Sequence, residues 1–113
     1  MKRLKQLSIV FDRFGYGAMR VERFGRAGFA VTSNDESLAY EITRDGTAEI
    51  VEEDLDGVTV TMVPAYTVTR DLGTYSAKVA ERVHWRGVVG RIAQSMADEN
   101  LHHVLDEVME VHQ

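Results

Sequence analysis

His102 and His103 stand four residues ahead of Asp106 and Glu107. On a helix, each pair would turn an imidazole and a carboxylate to one side, the start of a metal site. Two ligands do not complete such a site, and a surface i, i+4 contact accounts for the same spacing. The chain has no cysteine, which removes thiolate catalysis, disulfides and Cys-ligated zinc together. There is no nucleophile elbow, phosphate loop or paired His-Glu metal motif. Phe14-Gly15-Tyr16-Gly17 is glycine-rich, but no predicted helix follows it to hold a phosphate. No catalytic residue, cofactor or metal ion is expected, and the chain is not read as an enzyme.

Three further groups carry chemistry of recognition. Glu52, Asp54, Asp56 and Gly57 resemble the first half of an EF-hand calcium loop, with carboxylates at alternate positions before a glycine. Glu stands where Asp is usual, and Val63 replaces the closing bidentate Glu, so an acidic turn is the better reading. Arg13, Tyr16, Arg20, Arg23, Phe24 and Arg26 interleave rings with guanidinium groups, as single-stranded nucleic acid requires. Gly28-Phe29-Ala30 echoes an RNA-recognition strand, but Ala27, Val31 and Asn34 depart from its pattern. Gly25-Arg26-Ala27-Gly28 spells a KH-type loop, though here it joins predicted strands. Lys78, Arg82 and Arg86 would form a basic stripe on a helix.

Charge is sorted into blocks along the 113 residues. Residues 1–26 hold seven basic side chains against two acidic ones, and residues 27–57 hold nine acids against Arg44 alone. Residues 58–97 return to net positive, and 98–113 carry five acids and no Lys or Arg. Faces of opposite potential steer partners more than they stabilise a fold. The apolar fraction of 44% and charged fraction of 27% suit one globular domain with a real core. No apolar run approaches the roughly 20 residues of a membrane span. The basic start lacks a signal-peptide core, and a cytoplasmic location is the default expectation.

The elements that position these groups follow from hydrophobic period. Leu7, Ile9 and Phe11 alternate as a strand would. Residues 19–22, 38–42 and 58–63 alternate likewise, and residues 29–32 follow the turn at 25–28, with polar or glycine-rich turns between the segments. Asp45-Gly46 is expected to close a hairpin between residues 40–44 and 47–51, because Asp-Gly readily takes positive φ. Residues 54–57 supply the next turn, and Pro64 should mark a bend, bulge or edge. Ser76 is expected to cap a helix, with a kink or break near Gly87 and Gly90 where the apolar phase shifts. Asp98 is the next candidate cap, ahead of the amphipathic face of Leu101, Val104, Leu105, Val108 and Val111.

The expected fold is one α+β domain spanning residues 1–113. An antiparallel meander of five or six strands fills about residues 6–70, and two or three helices follow over about 76–112. The expected function is a non-catalytic module that binds another protein through a charged face, of the kind that regulates or inhibits a larger machine. Glu49, Glu52, Glu53, Asp54 and Asp56 are the contact residues expected on that reading. Nucleic-acid binding through the basic amino-terminal hairpin is the alternative, and acidic-to-basic pairing of two copies would make a homodimer.

Overall fold

A computed structural model describes the backbone of residues 2–24 and 28–111 and the side chains of residues 3–23 and 28–101. The chain runs as helix α1 (Lys2–Arg13), strands β1 (Arg20–Phe24), β2 (Gly28–Thr32), β3 (Ala39–Asp54), β4 (Gly57–Asp71) and β5 (Ser76–Val83), and helix α2 (Trp85–Val111). The five strands form one antiparallel sheet in the order β1-β2-β3-β4-β5, a meander with two helices.

The first segment is a helix rather than the strand that Leu7, Ile9 and Phe11 suggest. Leu4, Leu7, Phe11 and Phe14 also recur at helical spacing, so the short window fits both periods. Burial shows which one the fold uses: Leu7 and Phe11 are fully buried, while Ile9 is 46% exposed. The helix ends in a Schellman motif, with Tyr16 N–H donating to the Phe11 carbonyl and Gly15 N–H to that of Asp12. Gly15 takes the left-handed conformation this ending requires, at φ +84°.

Asp45-Gly46 does not close a hairpin. Residues 40–44 and 47–51 lie in one continuous strand, and both pair with β4. The positive φ expected of Gly46 is present, at +68°, but it serves a β-bulge where the register shifts between Arg44 and Thr47. The hairpin turn lies at residues 54–57, where the Asp54 carboxylate accepts the Asp56 N–H at 2.8 Å. Pro64 pairs with Thr47 beside the bulge, and among the described residues no strand pairs with its other side, because β5 joins β4 only from Tyr66 onward.

The segment after Ser76 is the strand β5, so the helix expected there is absent. Lys78 and Arg82 therefore belong to a strand and Arg86 to the first turn of α2, and the basic helical stripe does not form. The helix beyond runs unbroken through Gly87, Gly90 and Asp98 to Val111, as one helix rather than two or three. His84 caps it, its Nδ1 accepting the Gly87 N–H at 3.3 Å.

Both helices lie on one face of the sheet. The rows Val31–Tyr40–Arg70–Ala77 and Phe29–Ile42–Val68–Ala80 run across the strands beneath them. Leu7 and Phe11 of α1 and Val88, Ile92 and Met96 of α2 complete the buried core. At about 1.5–3 kcal/mol for each large apolar side chain buried, this layer is the main source of stability. The opposite face carries Arg20, Glu22, Glu41, Thr43, Thr69 and Lys78, the polar side of a sheet covered once. Among the described residues, no helix is long and apolar enough to cross a membrane.

Candidate functional site

β3 and β4 are far longer than their neighbours. β2 pairs with β3 only over Ala39–Thr43, and β5 pairs with β4 only over Tyr66–Asp71. From Thr47↔Pro64 out to Asp54↔Gly57 the two strands continue alone as a two-stranded arm. Seven steps at about 3.3 Å give it a reach of roughly 23 Å. The radius of gyration, 16.6 Å, exceeds the roughly 13 Å of a compact chain this size.

The ladder sorts the arm's side chains by parity. One face carries Glu49↔Met62, Val51↔Val60 and Glu53↔Val58; the other carries Ala48↔Val63, Ile50↔Thr61 and Glu52↔Thr59. On the first face Val51, Val58, Val60 and Met62 are each more than half exposed, and Leu55 at the tip is fully exposed. Among the described residues no layer covers this face, and gathered apolar side chains left open in this way are typical of contact surfaces. Residues 47–64 hold five carboxylates and no Lys or Arg, so this apolar stripe has an acidic rim.

The arm's root is braced. Thr67 Oγ1 donates to the Asp45 carboxylate at 2.7 Å, Arg82 N–H donates to Thr67 Oγ1 at 3.3 Å, and Arg44 Nε donates to the Gly46 carbonyl at 3.2 Å. Asp45 and Arg82 also form a 3.9 Å ion pair. Irregularities in two strands therefore meet at one point, the bulge of β3 and the positive φ of Arg82 in β5. Beside this root lies a cleft of about 390 Å³, walled by Ile50, Glu52 and Val63 of the arm, by Arg3, and by Trp85 and Arg86. Trp85 is held there by edge-on packing with Tyr66 at 5.4 Å and by its indole N–H, which donates to Gln6 Oε1 at 3.0 Å.

All five acidic residues expected to meet a partner fall on the arm: Glu49, Glu52 and Glu53 on its strands, Asp54 and Asp56 in its turn. The residues proposed for nucleic acid do not share one open surface. Arg13 ends α1, Arg20 and Arg23 lie on β1, and Tyr16 packs against Phe11 at 6.3 Å beneath the sheet. Arg20 is ion-paired with Glu36. Arg26 and the side chain of Phe24 lie outside the described residues, as do the side chains of His102, His103, Asp106 and Glu107. Among the described residues, no three His, Asp or Glu converge as metal ligands.

The polar groups inside the fold tie it together. The Tyr40 hydroxyl donates to Ser95 Oγ at 2.8 Å, and Arg70 donates to Glu99 at 2.8 Å, joining the sheet to α2. Burial pushes the Tyr40 and Tyr16 hydroxyls above their ordinary pKa, and the Glu99 hydrogen bond does the same for Arg70. Both hydroxyls stay protonated near neutral pH, and that of Tyr40 serves as a hydrogen-bond donor.

Sequence reading missed the exposed stripe. Val58, Val60 and Met62 alternate as a half-buried strand would, and nothing local shows that the fold leaves them uncovered. The missing cue lies in strand length: β3 and β4 outrun the short β1, β2 and β5. Comparison of the chain with known protein families, with characterised proteins and with solved structures finds no match.

Proposed function

We propose that this chain is a non-catalytic protein-interaction module whose contact element is the β3–β4 arm. The observation that carries this reading is the stripe of Val51, Val58, Val60 and Met62, exposed on a ribbon that reaches beyond the sheet. The acidic rim selects a partner whose apolar groove is bordered by Lys or Arg. Complementary charge speeds encounter, and desolvated apolar contacts slow release. Docked by its projecting arm on a larger assembly, the module would act as a regulator or inhibitor of it. Nucleic-acid binding has less support, because Tyr16 is partly buried against the core and Arg20 already holds Glu36.

The test is capture from the native host with the intact chain and with a Val58→Ser, Val60→Ser, Met62→Ser arm. Proteins retained by the first and lost from the second are arm partners. With a purified partner, Glu52→Lys, Glu53→Lys and Asp54→Lys together should slow association more than they speed dissociation. Identical captured sets from both baits would end this reading.

A further inference from the structure

The cleft at the arm's root has a chemistry that the arm's tip matches. Its walls pair apolar surface, from Val63, Pro64, Tyr66 and Trp85, with two guanidinium groups, Arg3 and Arg86. Arg3 donates to the Tyr66 hydroxyl at 2.8 Å. Among the described residues neither arginine is ion-paired, although Glu52 lines the same cleft. Such a site suits an apolar side chain flanked by carboxylates. Leu55, fully exposed between Asp54 and Asp56, is that segment.

The tip cannot enter its own cleft, because the two lie at opposite ends of one ribbon roughly 23 Å long. A second copy removes the difficulty. Two arms laid antiparallel put each tip at the other's root, and a single two-fold axis satisfies both contacts at once. Stripe-to-stripe pairing is disfavoured, since it would bring Glu49 and Glu53 of both copies together with no Lys or Arg on either arm. We propose that this chain forms a reciprocal dimer. In it Leu55 of each copy sits against Val63, Pro64 and Trp85 of the other, and Asp54 and Asp56 face Arg3 and Arg86. The inference rests on the arm being an interaction element, as proposed above, but it uses the tip and the cleft and leaves the apolar stripe open. Glu52 is the like-charged neighbour of the incoming tip.

Sedimentation velocity on the purified full chain tests this. The wild-type chain should dimerise, with affinity falling about tenfold or more from low to high salt. Leu55→Ser, which alters only an exposed side chain, should be monomeric, and Glu52→Gln should dimerise more tightly. Asp54→Lys/Asp56→Lys and Arg3→Glu/Arg86→Glu should each be monomeric alone. Their equimolar mixture should recover the dimer, because lysine tips then meet glutamate clefts and native tips meet native clefts; this recovery also shows that both variants are folded. A wild-type monomer at millimolar concentration, or a dimer that survives Arg3→Glu/Arg86→Glu, would overturn the proposal. The Val58→Ser, Val60→Ser, Met62→Ser chain should still dimerise while losing its captured partner, which separates the two readings. Loss of the dimer in that chain would place self-association on the stripe and refute the cleft.

Discussion

Gly87 and Gly90 sit three residues apart on α2, yet replacing each with alanine should shift stability in opposite directions. Alanine is favoured over glycine by about 0.8–1 kcal/mol in a helix interior, because glycine loses more backbone freedom on folding. At Gly90 an added Cβ meets nothing within 4 Å, so Gly90→Ala collects that gain whole. At Gly87 the same atom falls 2.9 Å from Val83 Cβ and 3.3 Å from Val83 Cγ2. Val83 Cβ is fixed to the backbone of β5 and cannot swing aside, so the strand end and the helix must separate. Overpacking of this kind costs about 1–3 kcal/mol, which leaves Gly87→Ala destabilised by about 1 kcal/mol after the helix gain. The two variants should thus differ by about 2 kcal/mol, or roughly 8 °C in Tm for a domain of this size. Urea titration followed by circular dichroism measures both. Val83→Ala keeps Cβ and, of the two close contacts, removes only that with Cγ2 at 3.3 Å, so it should relieve no more than a small part of the Gly87→Ala cost. Two glycine variants of equal stability, or the reverse order, would refute the close strand–helix approach and with it the unbroken helix.

Two further outcomes are open to direct measurement. Gly46→Val should destabilise the chain by at least about 1–2 kcal/mol, because a β-branched residue resists φ +68°. The nearest atom, Arg82 Nη2 at 2.9 Å, is a flexible end that can move, so Gly46→Asn, which tolerates that φ, should cost clearly less on denaturant titration. Asp35 accepts hydrogen bonds from Ser33 Oγ, Ser37 Oγ and Ser37 N–H, which hold its carboxyl down at about 2. A depressed carboxyl stabilises the fold above its unfolded value near 4 and loses that contribution as pH falls toward 2. Asp35→Asn should therefore flatten the acid limb of a stability–pH curve between those values, and an unchanged slope would count against the turn.

Much of the chain's organisation is written locally. The strands of residues 20–24, 28–32 and 39–44, the turn at residues 54–57, the positive φ of Gly46 and the edge position of Pro64 all follow from period and backbone preference. So does the acidity of the segment that became the arm, since charge is a property of composition. Tertiary structure decided the remainder. Leu7–Ile9–Phe11 satisfies both a strand and a helix, and only the groove between the sheet and α2 selects the face that buries Leu7 and Phe11. Ser76 to Val83 became a strand because the edge of β4 was available to pair with it. Gly46 could serve a turn or a bulge with the same φ, and the continuous partner strand β4 made it a bulge. Gly87 and Gly90 did not break α2, because the buried line Val88, Ile92 and Met96 holds the helix to the sheet. The exposure of the arm is the deepest case. Alternation states that a strand has an apolar face, but whether another layer covers that face depends on where the neighbouring strands stop, and no residue within residues 47–64 encodes that.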